Sequence, residues 1–421
     1  MRPGYIITAL DIGTTKMCAI IAEVTKEMTL EIKGIGTGPS VGLLNGIVID
    51  TVKVTKAVEA VLEQAETMAN TSAKNIFVGI AGEHIASENT IGQISLSTDN
   101  TSVEITEEHI ENVKTNAKNN VKIKKNERQQ EIIHAIPQYY EIDGRSGIMN
   151  PINMSGFNLK AYVHVVTADI TAIKTIKKCI SMAGYTADEI ILEPIASSFS
   201  VLNKVEKKLG SILIDIGGGT TDIAVFNKDS IRFSAVIPYG GTNITYDLTM
   251  GLRASPAEAE HIKITYGNSI ANTVPQEKII EIEGIAGREP KQKKLRYVSE
   301  IIEARMREIL DMAYNLLNQN NNLKMITAGL TLTGGASLLK NLEFLAEEIF
   351  NMSTKIGYPN LENLKGPTEG LYHPKFATSV GILYYAFFML QEDDNKIQNY
   401  LSKDPIAKFF NKIMKSIKER L

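Results

Sequence analysis

The sequence predicts an α/β protein of two similar lobes, with an inserted α+β subdomain in the first lobe and a helical insertion in the second. Two lobes are expected because one pattern occurs twice, at Asp11 and, 204 residues later, at Asp215. In each copy an apolar strand ends at the aspartate, followed by a glycine turn and paired threonines. The length of 421 residues also calls for about two to four packing units.

Composition argues against several classes of protein. Hydrophobic residues make up 43% and charged residues 22%, the balance of a folded chain. A net charge of −3 is atypical of a nucleic-acid binder, which usually carries a basic excess. Two distant cysteines, Cys18 and Cys179, suit a reducing cytosol, and six histidines without metal-ligand spacing give no zinc site. No targeting signal is expected at the N-terminus, and the longest apolar stretch, residues 380–390, is about half a membrane span.

In the first lobe, apolar residues resume after the first glycine turn, so residues 6–24 are predicted to form strand, turn and strand. Helical spacing follows at 51–70 and a short strand at 75–80. Residues 84–166 are more polar, with short strands and a Lys/Asn-rich helix at 107–125, and are interpreted as the inserted subdomain. A helix at 168–183 and a strand at 189–193 then complete the lobe.

The second lobe opens with the repeated strand, turn and strand, and residues 327–333 are predicted to be a strand entering a third glycine turn. Nine segments result. They are the first-lobe core (1–83), the inserted α+β subdomain (84–166), the continued first lobe (167–209), the second-lobe core (210–249), the helical insertion (250–321), the continued second lobe (322–375), a first-lobe closing helix (376–390), a polar linker (391–404) and an amphipathic helix (405–421).

The two glycine turns predict a phosphate site. Turns without bulky side chains let backbone N–H groups approach phosphate oxygens, and the adjacent hydroxyls and Lys16 add donors and positive charge. Asp11 and Asp215, at the strand ends, are placed to hold a hydrated Mg²⁺. The chain has no GxxxxGK[ST] motif, and no GxGxxG follows the first strand, so neither a P-loop nor a Rossmann site is supported.

Five motifs occur in the order found in the ATPase superfamily of actin, heat-shock chaperones and sugar kinases. They are Asp11-Ile-Gly-Thr-Thr-Lys16, Leu192-Glu-Pro-Ile-Ala-Ser197, Asp215-Ile-Gly-Gly-Gly-Thr-Thr-Asp222, Leu332-Thr-Gly-Gly-Ala-Ser337 and Ala377-Thr-Ser-Val-Gly381. Within this superfamily the chain resembles the FtsA family of bacterial cell-division proteins. The resemblance rests on His134-Ala-Ile-Pro-Gln-Tyr-Tyr140, Asp143-Gly144, Asn150-Pro-Ile-Asn-Met-Ser-Gly156, His164-Val-Val166, Ala259-Glu-His-Ile-Lys263 and the C-terminal helix.

The resemblance implies an actin-like (ribonuclease-H-like) fold that binds ATP and Mg²⁺ between its lobes. Asp11 and Asp215 would lie near the ion and contact it through water molecules, and Glu193 stands where chaperone relatives place an acid near the attacking water. Weak ATPase activity at most is expected. The implied ATP-binding residues are Gly13, Thr14, Thr15, Lys16, Gly217, Gly218, Gly219, Thr220, Thr221, Gly240, Gly241, Glu260, Lys263, Gly334, Gly335 and Ala336.

The C-terminal residues 405–421 predict an amphipathic helix, capped by Asp404 and begun by Pro405. Taken alone, this pattern leaves open a helix packed on the body, a protein-binding helix or one lying in an anionic membrane interface. The resemblance favours the membrane. The apolar stripe comprises Ile406, Phe409, Phe410, Ile413, Met414, Ile417 and Leu421, and the basic side chains beside it include Lys408, Lys412 and Lys415.

The resemblance also implies partners: the C-terminal peptide of FtsZ, further copies of the chain and other division proteins. The FtsZ peptide would dock on the basic helical insertion, where Arg288, Lys293 and Arg305 are candidate contacts. The implied location is cytoplasmic, on the inner face of the membrane at the division site, with no nucleic-acid partner. Alternatives within the superfamily are a pilus assembly protein resembling PilM and a small-molecule kinase, for which no base or substrate motif is found.

Overall fold

The computed structural model describes residues 3–97, 99, 101–122, 129–284 and 287–403, with side chains described up to 391. The first lobe opens with a hairpin, a third strand, a small two-stranded sheet and a long helix. These elements are β1 (Ile6–Ile12), β2 (Lys16–Val24), β3 (Leu30–Pro39), β4 (Leu43–Leu44), β5 (Ile47–Val48), α1 (Thr51–Ala69) and β6 (Ile76–Ile80).

An inserted α+β unit follows β6. It contains β7 (Ile85–Ser95), β8 (Val103–Glu104), α2 (Glu107–Asn119), β9 (Gln130–Ile142), β10 (Arg145–Ile148), β11 (Ser155–Gly156) and β12 (Asn158–Asp169). The chain then returns to the first lobe as α3 (Ile170–Met182), β13 (Ala187–Leu192), α4 (Glu193–Val201) and α5 (Lys204–Leu209).

The second lobe repeats the hairpin and then adds helices. It contains β14 (Ser211–Ile216), β15 (Thr221–Asn227), β16 (Ser230–Ile237), α6 (Gly241–Leu252), α7 (Pro256–Tyr266), β17 (Ile279–Ile282), β18 (Lys291–Lys294), α8 (Leu295–Gln319), β19 (Leu330–Thr333), α9 (Leu342–Phe350) and β20 (Thr354–Ile356). The chain re-enters the first lobe through β21 (Leu364–Lys365) and α10 (Ala377–Lys403).

The internal repeat corresponds to two sheets of the same topology. The first sheet has the order β13-β6-β1-β2-β3-β21, and the second has the order β20-β19-β14-β15-β16. Both contain three antiparallel strands flanked by two parallel strands, with β14 taking the place of β1 and β15 that of β2. The first sheet has one more strand, β21, which pairs parallel to β3. The predicted two-lobed architecture is therefore confirmed.

Alternation along the strands sorts their side chains into separate cores. In β1, Ile7 and Ala9 face α4 and α10, whereas Leu10 and Ile12 face α1 and α3. In β14, Leu213 faces the same two central helices and its neighbours face α6, α8 and α9. The molecule is thus layered as helices, sheet, α4 with α10, sheet and helices, and both sheets are buried on two faces.

Backbone contact holds the two central helices together. A Cβ added at Gly381 of α10 would lie 2.0 Å from the carbonyl oxygen of Ala196 in α4, so only glycine permits this approach. Pro194 stands in the first turn of α4, where its missing N–H costs no helical hydrogen bond.

Two regions differ from the sequence-based expectation. The insertion at 250–321 contains the hairpin β17–β18 as well as helices, and its first helix, α6, already begins at Gly241. Helix α10 continues to Lys403, through residues interpreted as a linker. The prediction of a linker was wrong, because polar composition alone does not end a helix. Residues 391–403 hold no glycine or proline that would end one.

No helix within the described ranges has both the length and the apolar character that crossing a bilayer requires. The amphipathic segment 405–421 lies outside the described residues.

Replacing Gly381 with alanine is expected to lower the free energy of unfolding by about 1–3 kcal/mol, because α10 must move away from α4. The gain in helix propensity, about 1 kcal/mol, is smaller than this packing cost. Urea unfolding followed by circular dichroism measures the change. Gly370→Ala is the matched control, since a Cβ there meets nothing within 4 Å; an unchanged midpoint for Gly381→Ala would contradict the packing argument.

Candidate functional site

The two glycine hairpins meet at a cavity of about 510 Å³ between the lobes. The turn between β1 and β2 supplies one wall and the turn between β14 and β15 the facing wall, while the turn after β19 and helix α7 supply others. All predicted nucleotide-site residues line this cavity except Gly219, Thr221 and Gly240. The two copies of the repeated sequence therefore face each other across one cavity.

The tips of the hairpins interlock. A Cβ added at Gly218 would lie 2.3 Å from Cγ2 of Thr15, and one at Gly219 would lie 2.6 Å from Oγ1 of Thr14. The glycines of the second hairpin thus leave room for the threonines of the first. Thr14 also accepts a hydrogen bond from the N–H of Gly46 at 3.3 Å, which ties the first tip to its own lobe.

Four carboxylates surround the cavity between the tips: Asp11, Asp215, Asp222 and Glu193. The aspartates are buried and Glu193 is half-buried. Asp222 lies directly opposite Asp215 in the β14–β15 register, and like charges in opposed positions destabilise a sheet. The fold therefore places four carboxyl groups around one cavity.

Hydroxyls of the two central helices hold these acids in place. Ser379 of α10 donates to Oδ2 of Asp11 at 2.6 Å. Ser197 of α4 and Thr378 of α10 donate to Oδ2 of Asp215 at 2.6 and 3.1 Å. The helix pair is thus connected to the hairpin aspartate of each lobe.

Burial and mutual repulsion disfavour ionisation of the cluster. Burial raises the pKa of Asp215 to about 6, with the charge of Asp11 adding to the effect, although two hydroxyl donors oppose it. Burial, followed by the neighbouring aspartates, raises the pKa of Glu193 well above its usual range. Burial likewise raises the pKa of Asp222, and repulsion from Asp215 adds to this effect. A cation at this point would reverse these shifts.

Lys16 supplies positive charge at the cavity. Its ammonium lies 3.3 Å from Oδ2 of Asp11 and donates to the carbonyl of Lys375 at 2.7 Å. It also lies 4.3 Å from the ring centroid of Phe376. Lys16 is therefore held beside the acids by Asp11 of its own hairpin and by the segment that leads into α10.

The residues present fit a magnesium nucleotide. Oδ1 of Asp222 is buried and has no hydrogen-bond partner among the described residues, so this carboxyl oxygen is available to a cation or to one of its water ligands. No three metal-ligating side chains of the described part of the chain converge on one point. Such a donor set suits Mg²⁺, which keeps several waters and takes oxygens from phosphates.

The opposite end of the cavity combines a buried lysine with apolar side chains. The Lys263 ammonium donates to the carbonyl of Gly241 and the hydroxyl of Thr245, both at 2.9 Å, and pairs with Glu260 at 2.7 Å. Burial lowers the pKa of Lys263. Ile264 and Leu338 add exposed apolar surface to this wall. The end therefore offers polar groups for a ribose and apolar contact for a base.

Three predicted residues support the cavity without lining it. Thr221 is fully buried and donates to the carbonyl of Tyr239 at 2.8 Å. Gly219 receives the first hairpin, and a Cβ at Gly240 would lie 2.7 Å from the carbonyl oxygen of Gly217. Their role is close packing of backbone.

The site also includes residues that were not assigned to it from the sequence. Asp222, Thr378 and Lys375 line the cavity, and Ser197 and Ser379 position its acids. The repeat itself held a signal for Asp222, because the residue after the paired threonines is Lys16 in the first copy and Asp222 in the second. The hydroxyls gave no such signal, since their role depends on how two helices cross.

The basic residues predicted on the second-lobe insertion do not form one cluster. Arg305 pairs with Asp247 of α6 at 2.6 Å and with Glu308 at 2.5 Å, so its charge is compensated and it fastens α8 to α6. Arg288 is exposed, and Lys293 lies in β18 with its ammonium 5.8 Å from the ring centroid of Tyr297. Arg305 lies ten residues after the first residue of α8, which corresponds to about 15 Å along the helix axis at 1.5 Å per residue.

Comparison with known proteins gives two matching family models. The model described as "Cell division protein FtsA" matches residues 212–381, and the model "SHS2 domain inserted in FTSA" matches residues 82–167. The second range covers the inserted α+β unit except for the last two residues of β12.

Curated relatives match over most of the chain. The cell division protein FtsA of Pseudomonas aeruginosa is 38% identical over 385 residues, covering 91% of this chain and 90% of the relative. FtsA of Escherichia coli K12 is 34% identical over 387 residues, covering 90% of each. FtsA of Borreliella burgdorferi is 33% identical and covers 98% of this chain and 97% of its own, so its alignment reaches into residues 405–421.

Solved structures share the fold. A PilM–PilN type IV pilus biogenesis complex matches with a TM-score of 0.65 and 15% identity, covering 91% of this chain and 99% of the other. MreB5 of Spiroplasma citri bound to ADP matches with a TM-score of 0.54 and 15% identity, covering 93% and 98%. The predicted actin-like fold class is thus confirmed.

The acid cluster predicts a pH-dependent stability of the ligand-free protein. Because the pKa of Asp215 is about 6 in the folded chain and near its usual value when unfolded, the folded state binds more protons between these values. Asp215 therefore destabilises the fold as pH rises from about 4 to 7. Thermal unfolding at pH 5 and pH 7 should show a smaller loss of Tm for Asp215→Asn than for the unaltered chain. Parallel pH profiles would contradict the assignment.

Proposed function

The chain belongs to the FtsA family of cell-division proteins, and on this premise we propose that it binds ATP and anchors FtsZ filaments to the cytoplasmic membrane. The observation that carries the nucleotide part is the cleft, where the glycine hairpins interlock and four carboxylates line one cavity. The family membership carries the division part.

ATP would bind as its Mg²⁺ complex. Glycine turns and Lys16 would approach the phosphates, Asp11, Asp215 and Asp222 would face the ion or its water, and Lys263 with Glu260 would face the ribose. Bound Mg²⁺ would supply charge neutralisation to the phosphates. Glu193 is the candidate for positioning a water, and weak hydrolysis at most is proposed.

The nucleotide would act mainly as a structural ligand. It would contact both hairpins at once, so its binding energy would favour the closed arrangement of the lobes. That arrangement would be the one competent to polymerise with other copies of the chain. The inserted α+β unit is the proposed surface for filament contact or for recruiting later division proteins.

Membrane attachment is assigned to residues 405–421. Their apolar stripe and net charge of +3 across 404–421 suit an anionic interface on the cytoplasmic side. A single helix of this kind binds reversibly, and assembly of several copies would strengthen attachment because many helices engage together.

The acidic C-terminal peptide of FtsZ is proposed to dock on the second-lobe insertion, beside β18 and the start of α8. Arg288 is exposed there, and Lys293 is paired with the exposed ring of Tyr297. A cation beside an aromatic ring suits a peptide that carries both acidic and apolar side chains. Arg305 is less suited to direct contact because two carboxylates already bind it.

The two rival functions have weaker support. Likeness to the PilM complex is one of fold at 15% identity, against 38% for a FtsA relative. A small-molecule kinase needs a substrate base and pocket beside the phosphates, and the sequence offers no motif for either. Phosphoryl transfer to a sugar or acetate in a substrate screen would favour the kinase.

Deletion of residues 405–421 is expected to abolish sedimentation with vesicles of anionic phospholipid while leaving ATP affinity within about twofold, since the cavity lies in the body. Vesicles of neutral phospholipid are the control for charge, and binding to anionic vesicles should weaken with added salt. Undiminished sedimentation of the truncated chain would refute the membrane assignment.

Charge reversal by Lys293→Glu is expected to weaken binding of the FtsZ C-terminal peptide by about threefold to tenfold, measured by fluorescence anisotropy. Lys324→Glu makes the same charge change on an exposed side chain beyond the far end of α8 and serves as the matched control. Equal weakening by both variants would show a non-specific charge effect and exclude docking at β18.

A further inference from the structure

Glu193 is placed by a junction between a strand and a helix. Strand β13 ends at Leu192 and α4 begins at Glu193, so the side chain enters the cavity at the point where the backbone changes direction. The Glu193 side chain packs over Gly79, where an added Cβ would lie 3.2 Å from its Cγ. Its position therefore depends on the backbone of residues 192 and 193.

A histidine of the inserted unit holds this junction. Nε2 of His134 in β9 accepts a hydrogen bond from the N–H of Leu192 at 2.9 Å, and both residues are buried. Burial lowers the pKa of His134 to about 4, so the ring is neutral at pH 7 and its Nε2 carries the lone pair that this bond needs. The ring also meets Tyr385 of α10 edge-on, with 5.9 Å between centroids.

We propose that His134 is a positioning residue of the nucleotide site, acting through the Leu192 N–H to fix Glu193 beside the acid cluster. The proposal rests on the proposed function, because it assigns His134 a role toward the magnesium nucleotide. His134 does not line the cavity, so its action is indirect.

The sheet that carries His134 is itself held by the second lobe. Nε2 of His164 in β12 hydrogen-bonds Oγ of Ser234 in β16 at 2.9 Å, and the Gln138 side chain in β9 donates to the carbonyl of Ile231 at 2.8 Å. Strand β16 leads directly into the glycine turn at Gly240. The inserted unit thus contacts both lobes, on either side of the cleft. Through His134, its position relative to the first lobe is linked to the position of Glu193.

The test uses the full chain and isothermal titration of ATP with Mg²⁺ and with EDTA. The measured quantity is the dissociation constant in EDTA divided by that in Mg²⁺. This ratio reports how strongly the cation promotes nucleotide binding. His134→Leu removes the acceptor and is expected to lower this ratio about tenfold, as loss of an outer-shell partner does in metal sites. His134→Gln keeps an acceptor at the same reach and should restore the ratio to within about twofold.

A double-mutant cycle separates positioning from general destabilisation. If His134 acts through Glu193, His134→Leu should change the ratio no further in a Glu193→Gln background. Val163→Ala makes a comparable core defect in the inserted sheet away from Leu192 and should leave the ratio unchanged. Additive effects in the cycle, or an equal effect of Val163→Ala, would overturn the proposal.

Hydrogen exchange of the nucleotide-free chain supplies a readout independent of binding. In His134→Leu, about one more amide of the peptide containing residues 190–194 should exchange rapidly, because the Leu192 N–H loses its acceptor. Unchanged exchange would also overturn the proposal. Failure of the unaltered chain to bind ATP would overturn the proposed function and this inference together, whereas normal ATP coupling in His134→Leu would overturn this inference alone.

Discussion

The structure depends on one cluster of buried carboxylates at the crossing of two helices. Hydroxyls of Ser197 and Ser379, one from each helix, bind the hairpin aspartates Asp215 and Asp11. These bonds can form only if α4 and α10 approach closely, which Gly381 permits. Repulsion among the acids opposes the arrangement, so the apolar layers around the helices must supply the stability that keeps it.

The two hairpins have the same backbone plan but contribute different charges to this cluster. Each lobe offers a strand, an aspartate and a glycine turn, but the residue after the threonines is a lysine in one copy and an aspartate in the other. Lys16 therefore brings a cation to Asp11, whereas Asp222 brings a second carboxylate to Asp215. In the proposed nucleotide complex, the first hairpin would contact the phosphates and the second would face the hydrated ion.

The inserted unit extends this dependence beyond the cleft. Its sheet contacts β16 of the second lobe through Gln138 and His164, and it contacts the first lobe through His134. Polar groups buried at such contacts lose their partners if the unit shifts, which makes a shift costly. A surface used for assembly would thereby be connected to the nucleotide site by short, buried hydrogen bonds.

The two lobes, the hairpins and most of the cavity lining could be predicted from the amino-acid sequence, because strand, glycine-turn and hydroxyl patterns are local and occur twice. Continuity of α10 was missed because polarity was taken for a linker, although no helix-breaking residue is present. The roles of Asp222, Ser379 and Arg305 could be assigned only from the folded chain. Each role depends on a partner from a distant or opposed segment, and local patterns carry no information about which side chains meet across a fold.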